Sequence, residues 1–159
     1  MSIQQVREYF RPLGREGDIL EFPTSSATVE LAAQALGVIP ARIAKTLSFL
    51  MDDGCVLIVC AGDAKVDNSR FKGQFHCKAK MLAHDQVAEL TGHEVGGVCP
   101  FGVKEGVRVY LDESLRRFDT VFPAAGSGNS AIQLTCPELE EYSRSLGWID
   151  VCKGWREGE

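Results

Sequence analysis

Lys45-Thr46-Leu47-Ser48-Phe49-Leu50-Met51 runs into Asp52-Asp53-Gly54 and out again through Cys55-Val56-Leu57-Ile58-Val59-Cys60-Ala61. Two apolar runs around an Asp-Gly step signal a β-hairpin, because Asp-Gly accepts the positive-φ turn that suits strand twist. The second run lacks polar alternation, so it reads as a strand buried on both faces. Such a strand belongs at the centre of a sheet, and the remaining chain must cover it.

Working upstream, Pro40 opens a short helical turn through Ala44. Thr24-Ser25-Ser26 offers N-caps for a helix over Val29–Leu36, which Gly37 ends. Residues 19–22 form a short strand stopped by Pro23, and Val6, Tyr9, Phe10 and Leu13 recur at helical spacing up to Gly14. Downstream, Gly62-Asp63 breaks the buried strand and Asp67-Asn68-Ser69 can cap a helix through Lys72. Residues 84–90 are helical, closed by Gly92, and residues 107–111 alternate as a strand, after which Asp112 can cap one helical turn. Residues 120–123 and 131–134 read as two strands around a glycine turn. Thr135-x-x-Glu138 is a capping box with Pro137 in the first turn, and its helix is expected to reach Leu146. Hairpin strands with interspersed helices predict an α+β fold. The expectation is a single compact domain over residues 1–159, with a mixed, largely antiparallel sheet flanked by helices.

The 159 residues suit one domain and bury roughly 70% of their unfolded surface, enough for a core without staples. No apolar stretch approaches a membrane span and the N-terminus lacks a secretory signal, so a cytoplasmic protein with no membrane partner is expected. A net charge of −5 argues against broad nucleic-acid binding, DNA included, while allowing contact at one or two phosphates. The six cysteines form no C-x-x-C pair and no common zinc spacing, and a cytosolic setting predicts free thiols.

His76, His84 and His93 lack metal-ligand spacing, so ordinary surface or structural roles and no metal or cofactor are expected. A Ser-His-Asp or Cys-His site stays open, since such partners lie far apart in sequence. Lys45 begins an apolar strand; it is either a solvated edge residue or a point charge at a pocket mouth. Residues 96–102, with Gly96, Gly97, Pro100, Phe101 and Gly102, form a side-chain-poor loop, and residues 124–130, with Gly126 and Ser127, form a second. Such loops can simply be tight turns, or backbone walls that bind an oxyanion. Asp63 and the Thr24-Ser25 pair are either turn and capping residues or further pocket lining.

The string Ala41-Arg42-Ile43-Ala44-Lys45-Thr46-Leu47-Ser48-Phe49 resembles the lysine motif of the YbaK/prolyl-tRNA-synthetase-associated editing family. Val59-Cys60-Ala61-Gly62-Asp63, Thr91-Gly92, residues 96–102 and residues 121–134 follow in family order. The resemblance covers about residues 24–139. It implies a compact α+β domain that hydrolyses the ester between a wrong amino acid and tRNA, commonly tRNA(Pro), here as a free-standing protein. The partners implied are the aminoacylated tRNA acceptor end and prolyl-tRNA synthetase. By the same resemblance Lys45 maps onto the functional lysine, Gly97, Pro100 and Gly102 onto the G-x-x-P-x-G loop, and Gly126 onto the late glycine loop. Lys45, Gly97 and Gly126 are the expected catalytic set; Thr24, Ser25, Asp63, Pro100, Phe101, Gly102 and Ser127 are the expected substrate contacts. The cysteine-specific branch carries a serine in the late loop and an aspartate seven residues on; the aligned positions here are Ala124 and Ala131. That change departs from the cysteine-specific pattern, and the amino acid removed is expected to be a small one: alanine, cysteine or a similar residue. The alternatives are a noncatalytic module that binds the aminoacyl end, and a thiol redox protein.

Overall fold

The computed structural model describes residues 2–156. Helix α1 (Ser2–Phe10) runs into a 3-10 turn over Arg11–Leu13, and Gly14 ends it in the left-handed region. Strand β1 (Leu20–Glu21) follows, then α2 (Val29–Leu36), closed by left-handed Gly37. The α2 cap is Thr28, whose hydroxyl accepts from Leu31 N–H, and not the Thr24–Ser26 cluster expected from sequence. That cluster is used elsewhere: Ser26 N–H donates to the Gly128 carbonyl at 2.6 Å, and the Ser25 and Ser26 hydroxyls donate to the same oxygen at 3.4 Å.

The hairpin stands as read. Strand β2 (Ile43–Met51) pairs antiparallel with β3 (Gly54–Ala61) from Ala44 to Met51, with Lys45 opposite Cys60. Residues Val56 to Ala61 are fully buried, so this strand is the spine of the core. Each such aliphatic side chain contributes about 1.5–3 kcal/mol relative to exposure. Strand β4 (Lys65–Val66) leads to α3 (Asn68–Phe75), capped by Asp67, which packs Phe71 between Phe49 and Phe75. Helix α4 (His84–Thr91) ends at Gly92.

Strand β5 (Arg108–Asp112) runs parallel to β3, and Asp112 caps the following 3-10 turn through Ser114 N–H. Strand β6 (Thr120–Pro123) runs parallel to β2. The expected strand at 131–134 is divided: β7 (Ser130–Ala131) pairs with β1, while β8 (Leu134–Thr135) pairs with β6. Helix α5 (Cys136–Tyr142) carries the predicted capping box but stops four residues short of Leu146. The reason is tertiary: Leu146 N–H donates to Val109 carbonyl, and Leu111 N–H to Gly147 carbonyl, so the chain leaves the helix to join the sheet. Strands β9 (Trp148–Ile149) and β10 (Cys152–Lys153), not foreseen from sequence, complete the fold. The main sheet has the order β8-β6-β2-β3-β5-β9 and is mixed, with parallel β2/β6, β3/β5 and β5/β9. The architecture is α+β, as the sequence implied. All six cysteines are free thiols. Among the described residues, no helix is long and apolar enough to cross a membrane.

Candidate active site

The outer edge of β2 is covered in two places. Strand β6 pairs with Ile43 and Ala44, and residues 80–82 bond Ser48 and Leu50 through Leu50 N–H to Lys80 carbonyl (2.7 Å) and Leu82 N–H to Ser48 carbonyl (3.1 Å). Between these covers lie Lys45, Thr46 and Leu47. A cavity of about 430 Å³ opens there, with Ala44, Lys45, Thr46 and Ser48 in its wall. The Thr46 Oγ1 is buried with no hydrogen-bond partner in the protein. Such an orphaned hydroxyl costs free energy unless a ligand or water satisfies it.

The remaining wall comes from α2 and its approach (Ser26, Thr28, Val29), from α4 (His84, Val87), from the loop after α4 (Val95, Gly96, Val98) and from Phe122, Ala124, Ser130 and Ala131. Ala124 and Ala131, the two positions that depart from the cysteine-specific pattern, form a β-bridge with each other in this wall. The surface is therefore mostly apolar, with a few hydroxyls. Lys45 and His84 are its titratable side chains. His84 is a cavity residue that the sequence reading set among ordinary histidines; its only local signal was its place at the first turn of α4.

The two small-residue loops meet. A Cβ on Gly97 would lie 2.7 Å from the Gly126 carbonyl oxygen and 3.0 Å from the Ser127 Cα. Gly97 is thus a glycine for close approach, while Gly126 adopts φ +98°, which favours glycine on conformational grounds. The Gly97 N–H is spent on the Glu94 carbonyl at 2.9 Å, so it is not an available oxyanion donor. The Ser127 hydroxyl bonds Asn129 Oδ1 and Ser130 Oγ, bracing the late loop beside the cavity.

Gly97, Gly126 and Ser127 are not themselves in the cavity wall, and the other expected contacts lie elsewhere. Pro100 and Gly102 line a separate depression with Tyr9 and Lys104. Phe101 is fully buried against Phe10, ring centroids 4.9 Å apart. Thr24 and Ser25 are not in the cavity wall, where Ser26 and Thr28 stand instead. Asp63 holds Arg117 through two bonds of 2.5 and 2.9 Å. Those bonds hold its carboxyl below the usual range, and the field of Lys45 adds a smaller push the same way.

A Cys/His pair does exist, but not as a nucleophile. Cys99 Sγ lies 3.6 Å from His93 Nε2, and both residues are fully buried. Burial pushes the Cys99 thiol up to about 12, so it stays protonated. His93 Nε2 bonds the Phe101 carbonyl at 2.7 Å, and burial lowers its proton affinity. The pair braces the 93–101 loop from behind. Among the described residues, no group of three or more His, Cys, Asp or Glu is placed to hold a metal ion.

The model of the aminoacyl-tRNA editing domain family matches residues 24–142, and the chain belongs to that family. It is an editing domain of the aminoacyl-tRNA deacylase class, a carboxylic-ester hydrolase. It is 58% identical over 156 residues to the uncharacterised protein YwhH of Bacillus subtilis (strain 168), covering 98% of this chain and 99% of that one. It is 29% identical over 109 residues to EbsC of Enterococcus faecalis (strain ATCC 700802 / V583), a candidate Cys-tRNA(Pro)/Cys-tRNA(Cys) deacylase, covering 67% and 66% of the two chains. A crystal structure of a candidate trans-editing enzyme for prolyl-tRNA synthetase superposes with a TM-score of 0.86 at 28% identity, covering 96% of this chain and 98% of that one.

Proposed function

We propose that this chain clears proline tRNA of small, wrongly attached amino acids, alanine foremost, acting in trans in the cytoplasm alongside prolyl-tRNA synthetase. The observation that carries the reading is the Lys45 cavity itself: a cationic strand residue in a wall that also holds Ala124 and Ala131. The apolar Ala124/Ala131 bridge suits a methyl side chain and offers no polar partner to a larger or charged one. Proline would be kept out sterically, since affinity alone separates one methylene by only about 1–3 kcal/mol.

The reaction adds water to the ester carbonyl, forms a tetrahedral oxyanion, and breaks the bond to the ribose oxygen, releasing amino acid and the free terminal hydroxyl. Lys45 supplies the positive charge for the carbonyl oxygen or the terminal phosphate. The open β2 edge, with its unpartnered Thr46 hydroxyl, holds the polar atoms of the aminoacyl group. The Gly97–Gly126 contact holds together the two loops that carry Gly96, Val98 and Ala124 into the wall, and a ribose hydroxyl of the substrate orients the water.

A deacylation panel tests the specificity. Proline tRNA charged with Ala, Cys, Ser, Thr or Pro should be cleared fastest for Ala and not measurably for Pro. Faster clearance of Cys than Ala, or release of Pro, would overturn the assignment. Tight binding of mischarged tRNA without turnover would instead mark a noncatalytic module.

A further inference from the structure

One wall of the cavity continues outward as a run of alternating aromatic rings and guanidinium groups. Phe122 lines the cavity, and Arg42 lies over its ring at 5.1 Å from the centroid. Arg42 is held there by neutral oxygens, donating to the Thr120 carbonyl at 3.3 Å and to the Thr120 hydroxyl. Beyond it, Arg42, Arg117, Phe118, Asp119 and Thr120 enclose a second depression. Arg117 sits between two rings, 5.0 Å from Phe118 and 5.1 Å from Trp155, and Arg156 covers Trp155 at 4.1 Å. Phe118, Trp155 and Arg156 are all half-exposed. Arg117 is fixed by Asp63, itself in the field of Lys45, and Arg156 pairs with Asp150 at 2.5 Å.

Arginines stacked on aromatics are a common way to close a protein surface, and here they do tie the C-terminal strand down. That role does not explain why the run starts at the cavity wall, with buried Phe122, or why the Phe118 and Trp155 rings stay half-exposed. Stacked rings interleaved with guanidinium planes bind unpaired bases, which every nucleotide can supply. The carboxylates of Asp63, Asp119 and Asp150 blunt the local charge, so such a track would engage few phosphates. That fits a chain of net charge −5.

We propose that this ladder, from Phe122 and Arg42 through Phe118, Arg117 and Trp155 to Arg156, is the track for the single-stranded 3′ end of the tRNA. It would lead the unpaired nucleotides to the cavity, where the terminal ester is cut. The proposal rests on the deacylase reading of the cavity.

Two substrates separate the two claims: alanyl-tRNA(Pro), and alanine esterified to adenosine, which lacks every preceding nucleotide. Arg42→Ala and Trp155→Ala should each lower kcat/KM on the tRNA about tenfold, mainly through KM, and change it less than twofold on the nucleoside ester. Unchanged kcat/KM on the tRNA, or equal losses on both substrates, would overturn the ladder while leaving the deacylase reading intact. A wild-type protein that hydrolyses neither substrate would overturn the deacylase reading. The ladder is then still decided by binding: in Trp148→Phe protein, uncharged tRNA(Pro) should quench the remaining Trp155 emission. The same tRNA without its last four nucleotides should not, and equal quenching by the two would overturn the track.

Discussion

Gly97 owes its identity to a neighbour's backbone rather than to its own torsion angles. The Gly126 carbonyl occupies the space a side chain would need, and backbone cannot swing aside as a flexible side chain can. Gly97→Ala should therefore push the two loops apart, lowering stability by about 1–3 kcal/mol and deacylation by far more than that loss of folded protein explains. Thermal melting beside single-turnover rates checks both halves. Asp63 gives a pH test. Arg117 holds its carboxyl below the ordinary 3.8, so the stabilisation is fully present above that value and drains as the pH falls through the lowered one. Asp63→Asn should thus be less stable than the wild type at pH 7, with the gap closing below about pH 4 in paired melting curves. Single residues were only partly legible in the sequence. Lys45 was visible as an oddity at the start of an apolar strand, but a lone strand-end lysine reads equally well as a surface edge. His84 carried no motif, and Thr46 sat in the lysine motif with nothing to single it out, because their importance comes from strands and loops that meet only in the folded chain. Pro100, Phe101 and Gly102 were assigned with the glycine loop as a block, whereas the turn sends Phe101 into the core and its neighbours to another face.

Elements were read best where local chemistry decides them. The hairpin, the Asp67 cap, the Asp112 cap and the Thr135 capping box are short-range patterns, and each stands in the structure. Elements failed where distant partners decide. The segment after Tyr142 gives up helix to bond β5, and Ser25 and Ser26 give up capping to bond Gly128. The two-residue strands β9 and β10 lie below what periodicity can register. Asp112 joins several of these elements. Fully buried, it accepts from Ser114 N–H and from Val151 N–H, both at 2.9 Å, and so ties the turn after β5 to the segment between β9 and β10. Asp112→Ala leaves both buried donors unpaired, at about 1–3 kcal/mol each. Denaturant unfolding should show a loss of about 2–6 kcal/mol, and hydrogen exchange should rise first in residues 148–153.

At the scale of the whole molecule, the hairpin places Lys45 at a gap in its own edge, and two glycine loops from distant parts of the chain close the gap into a cavity. The order of motifs along the sequence was enough to recognise the family, because loops that converge in space must keep their order and spacing in the chain. The same order said nothing about shape, so the pairing of Ala124 with Ala131 in the wall emerged only from the fold. In the reaction proposed, Lys45 is the residue that makes this cavity a deacylase. Single-turnover hydrolysis of alanyl-tRNA(Pro) by the wild type and by Lys45→Ala, with melting temperatures in parallel, tests it most directly. Clearance by the wild type, with Lys45→Ala reduced at least a hundredfold toward the uncatalysed rate at an unchanged melting temperature, is the predicted result. A Lys45→Ala protein that clears the ester at the wild-type rate would contradict it.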